Sequence, residues 1–443
     1  MDILRTPTAL AEGDRRCNDH PFDDHRFLQH FIAVLSNLIS CSGPGQSGNG
    51  FTAFAKLAGL PSQLLSHEEG ESLSILAWAS KHMVNQGEDR YESTSERSGS
   101  QASSELERLL KERRSRENRE DASSSQIEDK EDLTLLAATL MVISFKITRG
   151  DIWGFSFFME ELRFLTGSLF KIDSHDTEPG SMKHHFFENV AYHDVFSSTS
   201  LLSEPVVPTG ILSAYSLKSP QIVRTLTGLS LPLLLTIHQI GQLIRERRSR
   251  IKIARCDDDE RTWKGTAARF SDEDLLTVIR EAQKLEQDLV QEKERMALLV
   301  ADQPHLAPHR YLHEVLRTTA LLHLHSFIYG QSPQCLKIRL FVRQLLSLLE
   351  AMADENLPGY CSLHWALFIT GLNATGEGHE SSALDDRARI QQLYETFSDD
   401  FAFMNLGRSH RIIKEVWSRN QQGRIFVDWL DIVEEFDWEL FLV

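Results

Sequence analysis

Three short motifs in this 443-residue chain have residue types that could carry chemistry. The acidic run DDDE at 257–260 offers carboxylate oxygens, the ligands that Mg²⁺ prefers. The run GPGQSG at 43–48 has the glycine spacing of a dinucleotide-binding turn. His313 and Glu314 begin like the metal-binding helix of a zinc protease. Each chemistry requires a particular context, and the neighbouring residues show whether that context is present.

The context argues against all three sites. A dinucleotide-binding turn needs a strand before it and a helix opening at its last glycine, whereas a helical pattern precedes 43–48. A zinc helix needs a second histidine four residues after His313, and Arg317 stands there. The acidic run directly follows a basic run, which predicts a solvated loop, and His323 and His325 fall on different helix faces. We therefore predict a non-enzymatic protein without metal or cofactor.

The composition is that of an ordinary globular protein, with 41% apolar and 25% charged residues. The net charge of −17 argues against bulk binding to nucleic acid or to an anionic membrane. The longest apolar stretch, 133–145, is short of the roughly 20 residues that a bilayer span needs. The five cysteines are far apart and predict reduced thiols in a cytosolic or nuclear protein: Cys17, Cys41, Cys256, Cys335 and Cys361.

Helical periodicity dominates the chain and predicts an all-α fold with one large domain over 22–443. Residues 1–21 are expected to form a loose leader. The segment 85–132 carries 14 acidic and 9 basic residues, which predicts a disordered charged insertion, with a transient helix at its centre. Further helices are predicted at 133–148, 151–170, 181–200, 219–248, 271–300, 309–331, 334–354, 360–374, 383–402, 407–419 and 425–441.

Two segments have charge patterns with alternative interpretations. A dense basic run trails the helix predicted at 219–248: Arg245, Arg247, Arg248, Arg250, Lys252 and Arg255. It fits a nuclear-import signal or a phosphate-binding patch, and equally a solvated helix end whose cations favour the dipole. The acidic and aromatic segment 427–443 fits a transcriptional activation segment or a docked terminal helix. The helical spacing of its apolar residues favours docking.

Several segments, read in order, resemble one family. The segment FFENVAYHDVFSSTS at 186–200 is the most telling, and LHWALFITG at 363–371 follows it, with Ala366 where proline is usual. Weaker matches lie at 25–41, 74–83, 135–151, 226–243, 311–329, Arg387 with Ile390, 416–419, 428–429 and 438–441. Together they resemble the regulatory domain of fungal zinc-cluster transcription factors, in the branch of arginine- and GABA-metabolism regulators.

The resemblance implies an all-α domain that regulates RNA polymerase II genes in a fungal nucleus. It implies contacts with other transcription factors or co-regulators, a homodimer, or a small-molecule effector in a pocket between helices, and no membrane. The signature residues that it carries over are Tyr192, His193, Asp194, Trp365, Gly371, Trp417, Arg419, Asp428 and Trp429. We expect them to be structural, so that replacing His193 or Asp194 with alanine lowers thermal stability.

One departure from the family concerns DNA binding. The family carries a six-cysteine zinc cluster upstream of this domain, whereas only Cys17 precedes it here. Contact with DNA is therefore expected through a partner or through a module missing upstream. Two alternatives stay open: an all-α Mg²⁺-dependent enzyme such as a terpene cyclase, using Asp257–Asp259, and a non-catalytic scaffold.

Overall fold

The structure, a computed structural model, describes residues 21–39, 73–117, 125–170, 182–201, 205–218, 228, 230–256, 272–376 and 385–443. These residues form α-helices joined by short 3₁₀ and π turns, and they contain no β-strand, which confirms the all-α prediction. The helices are α1 (Pro21–His30), α2 (Leu73–Asn85), α3 (Glu92–Glu117), α4 (Ser125–Arg149), α5 (Phe155–Leu169), α6 (Met182–Leu201), α7 (Thr209–Lys218), α8 (Leu231–Cys256), α9 (Asp272–Asp302), α10 (His309–His323), α11 (Leu336–Asp354), α12 (His364–Leu372), α13 (Asp386–Phe401), α14 (Asn405–Arg419) and α15 (Trp429–Glu435).

The short helix α12 lies at the centre of the C-terminal part of the fold. Its sequence, HWALFITGL, is apolar on nearly every face, and all nine residues are buried. A helix without a polar face must be surrounded on all sides. Helices α10, α11, α13 and α14 supply that surround.

Helices α2 and α4 lie at the centre of the N-terminal region, as α12 does in the C-terminal part of the fold. Residues 74–83 of α2 are all buried, and α2 packs against α1, α3 and α4. Helix α4 also contacts α5, α6 and α14, so it joins the N-terminal helices to the C-terminal ones. The large buried apolar side chains of both parts belong to one continuous core.

Helix α3 corrects the prediction of a disordered insertion over 85–132. That prediction is wrong for 89–117, which form a 3₁₀ turn followed by the 26-residue helix α3. Ala102, Leu106 and Leu110 recur every four residues and are buried in the core. The charges lie mostly on the other faces and form ion pairs within the helix, such as Arg108 with Glu105 and Glu112. A count of charges over the whole segment does not distinguish the faces of a helix, so it did not reveal the narrow apolar stripe of α3.

A buried ion pair fastens the end of α3 to α4. The Arg113 guanidinium donates to both carboxylate oxygens of Asp132, at 2.7 and 3.0 Å, and the Ser168 hydroxyl donates to the same carboxylate. Asp132, predicted to end the disordered insertion, therefore lies inside the fold. Residues 118–124 of the predicted insertion lie outside the described residues, as do the leader up to residue 20 and the motifs at 43–48 and 257–260.

Two further elements differ from the predictions. Helix α7 was missed because Pro205, Pro208 and Gly210 suggested a linker, although proline is well tolerated just before a helix. The terminal helix α15 ends at Glu435, not near 441, because Asp437 adopts a left-handed backbone with φ 53°. Residues 440–442 continue without helical structure and are buried. Among the described residues, no helix has the length and apolar character that crossing a bilayer requires.

We expect Gly99→Ala in α3 to destabilise the protein. A methyl group at Gly99 would lie 2.5 Å from Phe145 Cε1 on α4, so the buried Phe145 ring must shift, at a cost of about 1–3 kcal/mol. The matched control is Gly167→Ala in α5, where a methyl group meets no atom within 4 Å and helix propensity predicts a gain of about 1 kcal/mol. Chemical denaturation measures both. Equal stabilisation by both substitutions would contradict the docking of α3.

Candidate functional site

Four of the signature residues predicted from the sequence, Trp365, Gly371, Trp417 and Trp429, lie on α12 or contact it. The Trp365 ring lies 5.2 Å from the Phe196 ring of α6 and 6.0 Å from the His323 ring of α10. One turn later, Phe368 contacts Trp429 of α15 edge-on at 4.9 Å. Trp365 and Trp429 are 1% and 2% exposed, so both serve as packing anchors between helices.

Gly371 allows α14 to approach α12 closely. A side chain at this position would place its Cβ 2.6 Å from Ile413 Cδ1, and no larger residue fits without movement. The indole Nε1 of Trp417 donates to the Gly371 carbonyl oxygen at 2.8 Å. The Arg387 guanidinium lies 5.1 Å from the centre of the Trp417 ring. Gly371 and Trp417 thus together fix the contact between α12 and α14.

Asp194 anchors the segment that leads into α7. Its two carboxylate oxygens accept hydrogen bonds from the backbone amides of Val206 and Val207, at 2.8 and 2.9 Å. The side chain is 1% exposed, and burial raises its pKa to about 6, against the two amides that favour the anion. This fully enclosed carboxyl, with both oxygens bonded to backbone amides, is a structural anchor rather than a surface contact.

Tyr192 and His193, on the same helix, line a cavity. The Tyr192 hydroxyl lies 3.5 Å from the Ser362 carbonyl oxygen, and its ring packs edge-on against Phe196 at 4.9 Å. His193 is 9% exposed, and burial lowers its pKa to about 4, so the ring is neutral at physiological pH. Its Nδ1 atom is buried without a hydrogen-bond partner. The three residues are consecutive in the sequence, but Tyr192 and His193 line the cavity, whereas Asp194 binds the backbone before α7.

The cavity has a volume of about 80 Å³ and is partly open. It lies where α2, α4 and α6 meet the turns that precede α12 and α14. The lining residues are Ile39, Trp78, Ser144, Ile147, Thr148, Asn189, Tyr192, His193, Cys361, Ser362, Phe403 and Val443. None of these side chains is charged at neutral pH, since burial raises the pKa of the Cys361 thiol to about 11. The arrangement can hold a small ligand but offers no acid–base pair for catalysis.

The basic run at the end of α8 is divided between the interior and the surface. The Arg248 side chain is 5% exposed and pairs with Asp428, with Asp431 at 2.6 Å and with Glu434 at 3.0 Å. Arg247 donates to the Phe327 carbonyl oxygen. Arg245 is half-buried, and the side chains of Arg250, Lys252 and Arg255 lie outside the described residues. The run therefore does not form one continuous solvated patch.

Asp428 links this ion cluster to the start of α15. Its Oδ1 atom accepts a hydrogen bond from the Leu430 amide at 3.0 Å, so it caps the helix while it pairs with Arg248. Burial raises the pKa of Asp428 to about 6. Arg419, by contrast, pairs with Glu415 and Glu435, both at 2.8 Å, on the protein surface. The acidic and aromatic C-terminal segment is thus docked on α8 and α14.

A buried polar network next to α12 was not anticipated from the sequence. His364 Nε2 lies 2.8 Å from the Ser409 hydroxyl, which also contacts the Tyr394 hydroxyl at 3.0 Å. His364 Nδ1 lies 3.2 Å from the Asn405 amide. Burial lowers the pKa of His364 to about 4. The one available signal was a set of polar residues at otherwise apolar helical positions.

The remaining candidate residues do not form a catalytic or metal centre in the described part of the chain. His313 faces the buried Glu292 at 3.8 Å, and His325 Nε2 lies 3.0 Å from Glu286. Across the described ranges, no group of three or more His, Cys, Asp or Glu side chains is placed to hold a metal ion. The acidic run at 257–260 lies outside those ranges and stays untested.

We expect Asp194→Ala to lower the free energy of unfolding by about 2–4 kcal/mol, because it leaves two buried amides without acceptors. Asp194→Asn is the graded control, since it keeps one acceptor oxygen and should cost less. Denaturant titration followed by circular dichroism measures both. An unchanged midpoint for the alanine variant would show that the carboxyl is not an anchor.

We expect Arg248→Ala to destabilise the protein by about 3–5 kcal/mol, because three carboxylates then face each other beside a buried space. Arg419→Ala removes a similar bidentate arginine from the surface and should cost less than about 1 kcal/mol. Thermal unfolding of the two variants, side by side, tests the difference. Equal losses would contradict an inward-facing Arg248.

Residues 26–443 match the family described as fungal specific transcription factor domain. A curated relative, an uncharacterized transcriptional regulatory protein of Schizosaccharomyces pombe, is 23% identical over 257 residues. That match covers 57% of this chain and 44% of the relative, so it spans less than half of the relative's length. No solved structure matches the chain.

The family match begins in α1 and includes every signature residue that packs around α12. The resemblance seen in the sequence is thereby confirmed at the level of the family, whereas the arginine and GABA branch and the missing zinc cluster stay predictions. Nothing in these comparisons supports a cyclase or a scaffold. Because the match spans nearly all of its length, the chain belongs to the fungal specific transcription factor domain family.

Proposed function

We propose that this chain is the non-catalytic regulatory body of a nuclear transcription regulator. Its packing state would control the activity of RNA polymerase II genes, for example those of one metabolic pathway or gene cluster. The observation that carries the proposal is the family match over 26–443, which follows a single continuous core rather than an isolated motif.

The acidic and aromatic segment at the C-terminus supports control through docking. It is fixed by Arg248 on α8 and by the buried Trp429, Leu440 and Phe441. Undocking would expose carboxylates and aromatic rings together, the composition of activation segments. The same event would free Arg248 from its carboxylate partners. The basic run and the acidic C-terminal segment would thus be coupled in one interface.

Partners are proposed from the charge and from the family. A body with net charge −17 has no bulk attraction to DNA, so we propose contact with DNA through a partner transcription factor or an upstream zinc module. Nuclear import through the basic run is a further prediction. Since Arg247 and Arg248 are engaged inside the fold, an import receptor would bind the other basic residues of the run.

The test is a reporter assay with the full chain fused to an unrelated DNA-binding domain in a fungal cell. We expect a several-fold change in reporter expression relative to the DNA-binding domain alone. Gly371→Leu, which forces α14 away from α12, is the control that should abolish the effect. A fusion that is folded, nuclear and without effect on the reporter would contradict the proposal. Turnover of a prenyl diphosphate with Mg²⁺ by the purified chain would favour the enzyme instead.

A further inference from the structure

We propose that two copies of this chain associate through the outer face of α9, with the two copies of the helix running antiparallel. The contact surface, called the outer row, consists of seven residues of α9 at intervals of three or four: Leu276, Arg280, Gln283, Gln287, Gln291, Glu294 and Leu298. The inference goes beyond the proposed function, because it names a partner and the geometry of its contact, and it does not depend on the outcome of the reporter assay.

The inner face of α9 is already used by the fold, whereas the outer row faces solvent. The apolar residues of the inner face recur every three or four residues and are buried: Val278, Ala282, Leu285 and Leu289. Helix α9 packs against α8 and α10. Because the helix has 3.6 residues per turn, the outer row falls on the side opposite to these residues. All seven side chains of the outer row are exposed.

Exposed apolar side chains are concentrated on and beside the outer row. Among the described residues, twelve large apolar side chains are exposed, and half of them lie on α9 or α11: Leu275, Leu276, Val290, Leu298, Leu336 and Leu340. Leu298 is 73% exposed. Lys337 pairs with Glu286 at 2.9 Å, so the start of α11 lies beside the middle of α9. Such a concentration of exposed apolar side chains is typical of a protein–protein contact.

The outer row has the same pattern from either end. It reads Leu, Arg, Gln, Gln, Gln, Glu, Leu, and the intervals between its members are 4, 3, 4, 4, 3 and 4 residues. If two copies of α9 pair antiparallel about Gln287, Leu276 meets Leu298 of the second copy. Arg280 then meets Glu294 of the second copy, and both contacts occur twice. Neither Arg280 nor Glu294 forms an ion pair within the described part of the chain.

This symmetry favours a second copy over an unrelated partner. In a dimer with twofold symmetry the same surface pairs with itself, so it must be complementary to its own reversed copy. The outer row meets that requirement with two ion pairs, two leucine pairs and a centre of glutamines, whose amides both donate and accept. Parallel pairing would place Arg280 against Arg280 and Glu294 against Glu294, which like-charge repulsion disfavours.

The size of the surface predicts a reversible dimer. Leu298 stands 22 positions after Leu276, which is about 33 Å along the helix. One helix face of this length, even with Leu336 and Leu340 beside it, is expected to bury less than the roughly 1,600 Å² of a standard stable complex. Exposed ion pairs fix the register of the two helices but add little affinity. We therefore expect a dissociation constant on the order of 10 μM.

Charge reversal tests the pairing by sedimentation velocity of the purified full chain, from low to high micromolar concentration. The wild-type protein should shift from monomer to dimer. Arg280→Glu or Glu294→Arg alone opposes like charges twice and should weaken the dimer at least about tenfold. Glu281→Arg is the matched control, because Glu281 is exposed on α9 but lies outside the outer row, and it should leave the dimer unchanged.

Restored complementarity distinguishes a direct contact from an indirect effect. A mixture of the two single variants should form a heterodimer, since opposite charges then face each other at both positions. The double variant with Arg280→Glu and Glu294→Arg should again form the homodimer. Circular dichroism verifies that each variant is folded. A wild-type protein that stays monomeric throughout, or single variants that dimerise like the wild type, would overturn the inference, as would the absence of both rescues.

Cysteine cross-linking with a short bismaleimide tests the direction of the pair. Gln287→Cys should link two copies above the background of the native cysteines, because this position lies on the twofold axis. Leu298→Cys alone should not, since its two copies would be about 33 Å apart, but mixed with Leu276→Cys it should. Cross-linking of Leu298→Cys with itself would show a parallel pair, and the proposed contact would then be wrong.

Discussion

The complete burial of α12 is the constraint on which the rest of the structure depends. Nine residues without a polar face cannot meet water on any side, and each large side chain contributes about 1.5–3 kcal/mol when buried. Trp365, Phe368 and Gly371 each face a different neighbour, so the helix sets the positions of α6, α10, α14 and α15 at once. Trp365, Gly371, Trp417 and Trp429, four of the predicted signature residues, form contacts between this helix and its neighbours.

Polar groups inside this core are kept neutral or tied to fixed partners. Burial lowers the pKa of His82, His193 and His364 to about 4, so these rings are uncharged at neutral pH. The carboxyls of Asp194 and Asp428 have backbone amides or Arg248 as partners. An interior of this kind suits a structural role for these residues.

The sequence predicted the fold class and most of the later helices well, because the amphipathic periodicity of these helices is strong enough to be recognised without knowledge of their neighbours. Helices α9, α11 and α13 begin and end within a few residues of their predicted bounds. It failed at α3, where the overall charge concealed the stripe of Ala102, Leu106 and Leu110. It also failed at α7, where a Pro-Gly segment served to start a helix. In both cases the local composition fitted either a helix or a loop, and packing against a neighbouring helix determined the structure.

The sequence by itself determined that this chain is helical and which family it resembles, and it predicted a set of signature residues. Only the tertiary structure decided what each of those residues does. His193 and Asp194 are neighbours in the chain, yet His193 lines a cavity, whereas Asp194 accepts hydrogen bonds from two backbone amides that lie 12 and 13 residues further along the chain. Arg248 belongs to a basic run in sequence and to an acidic cluster in space. Residue type fixes which interactions are possible, but burial and partners come from segments far apart in the chain, and these set charge and role.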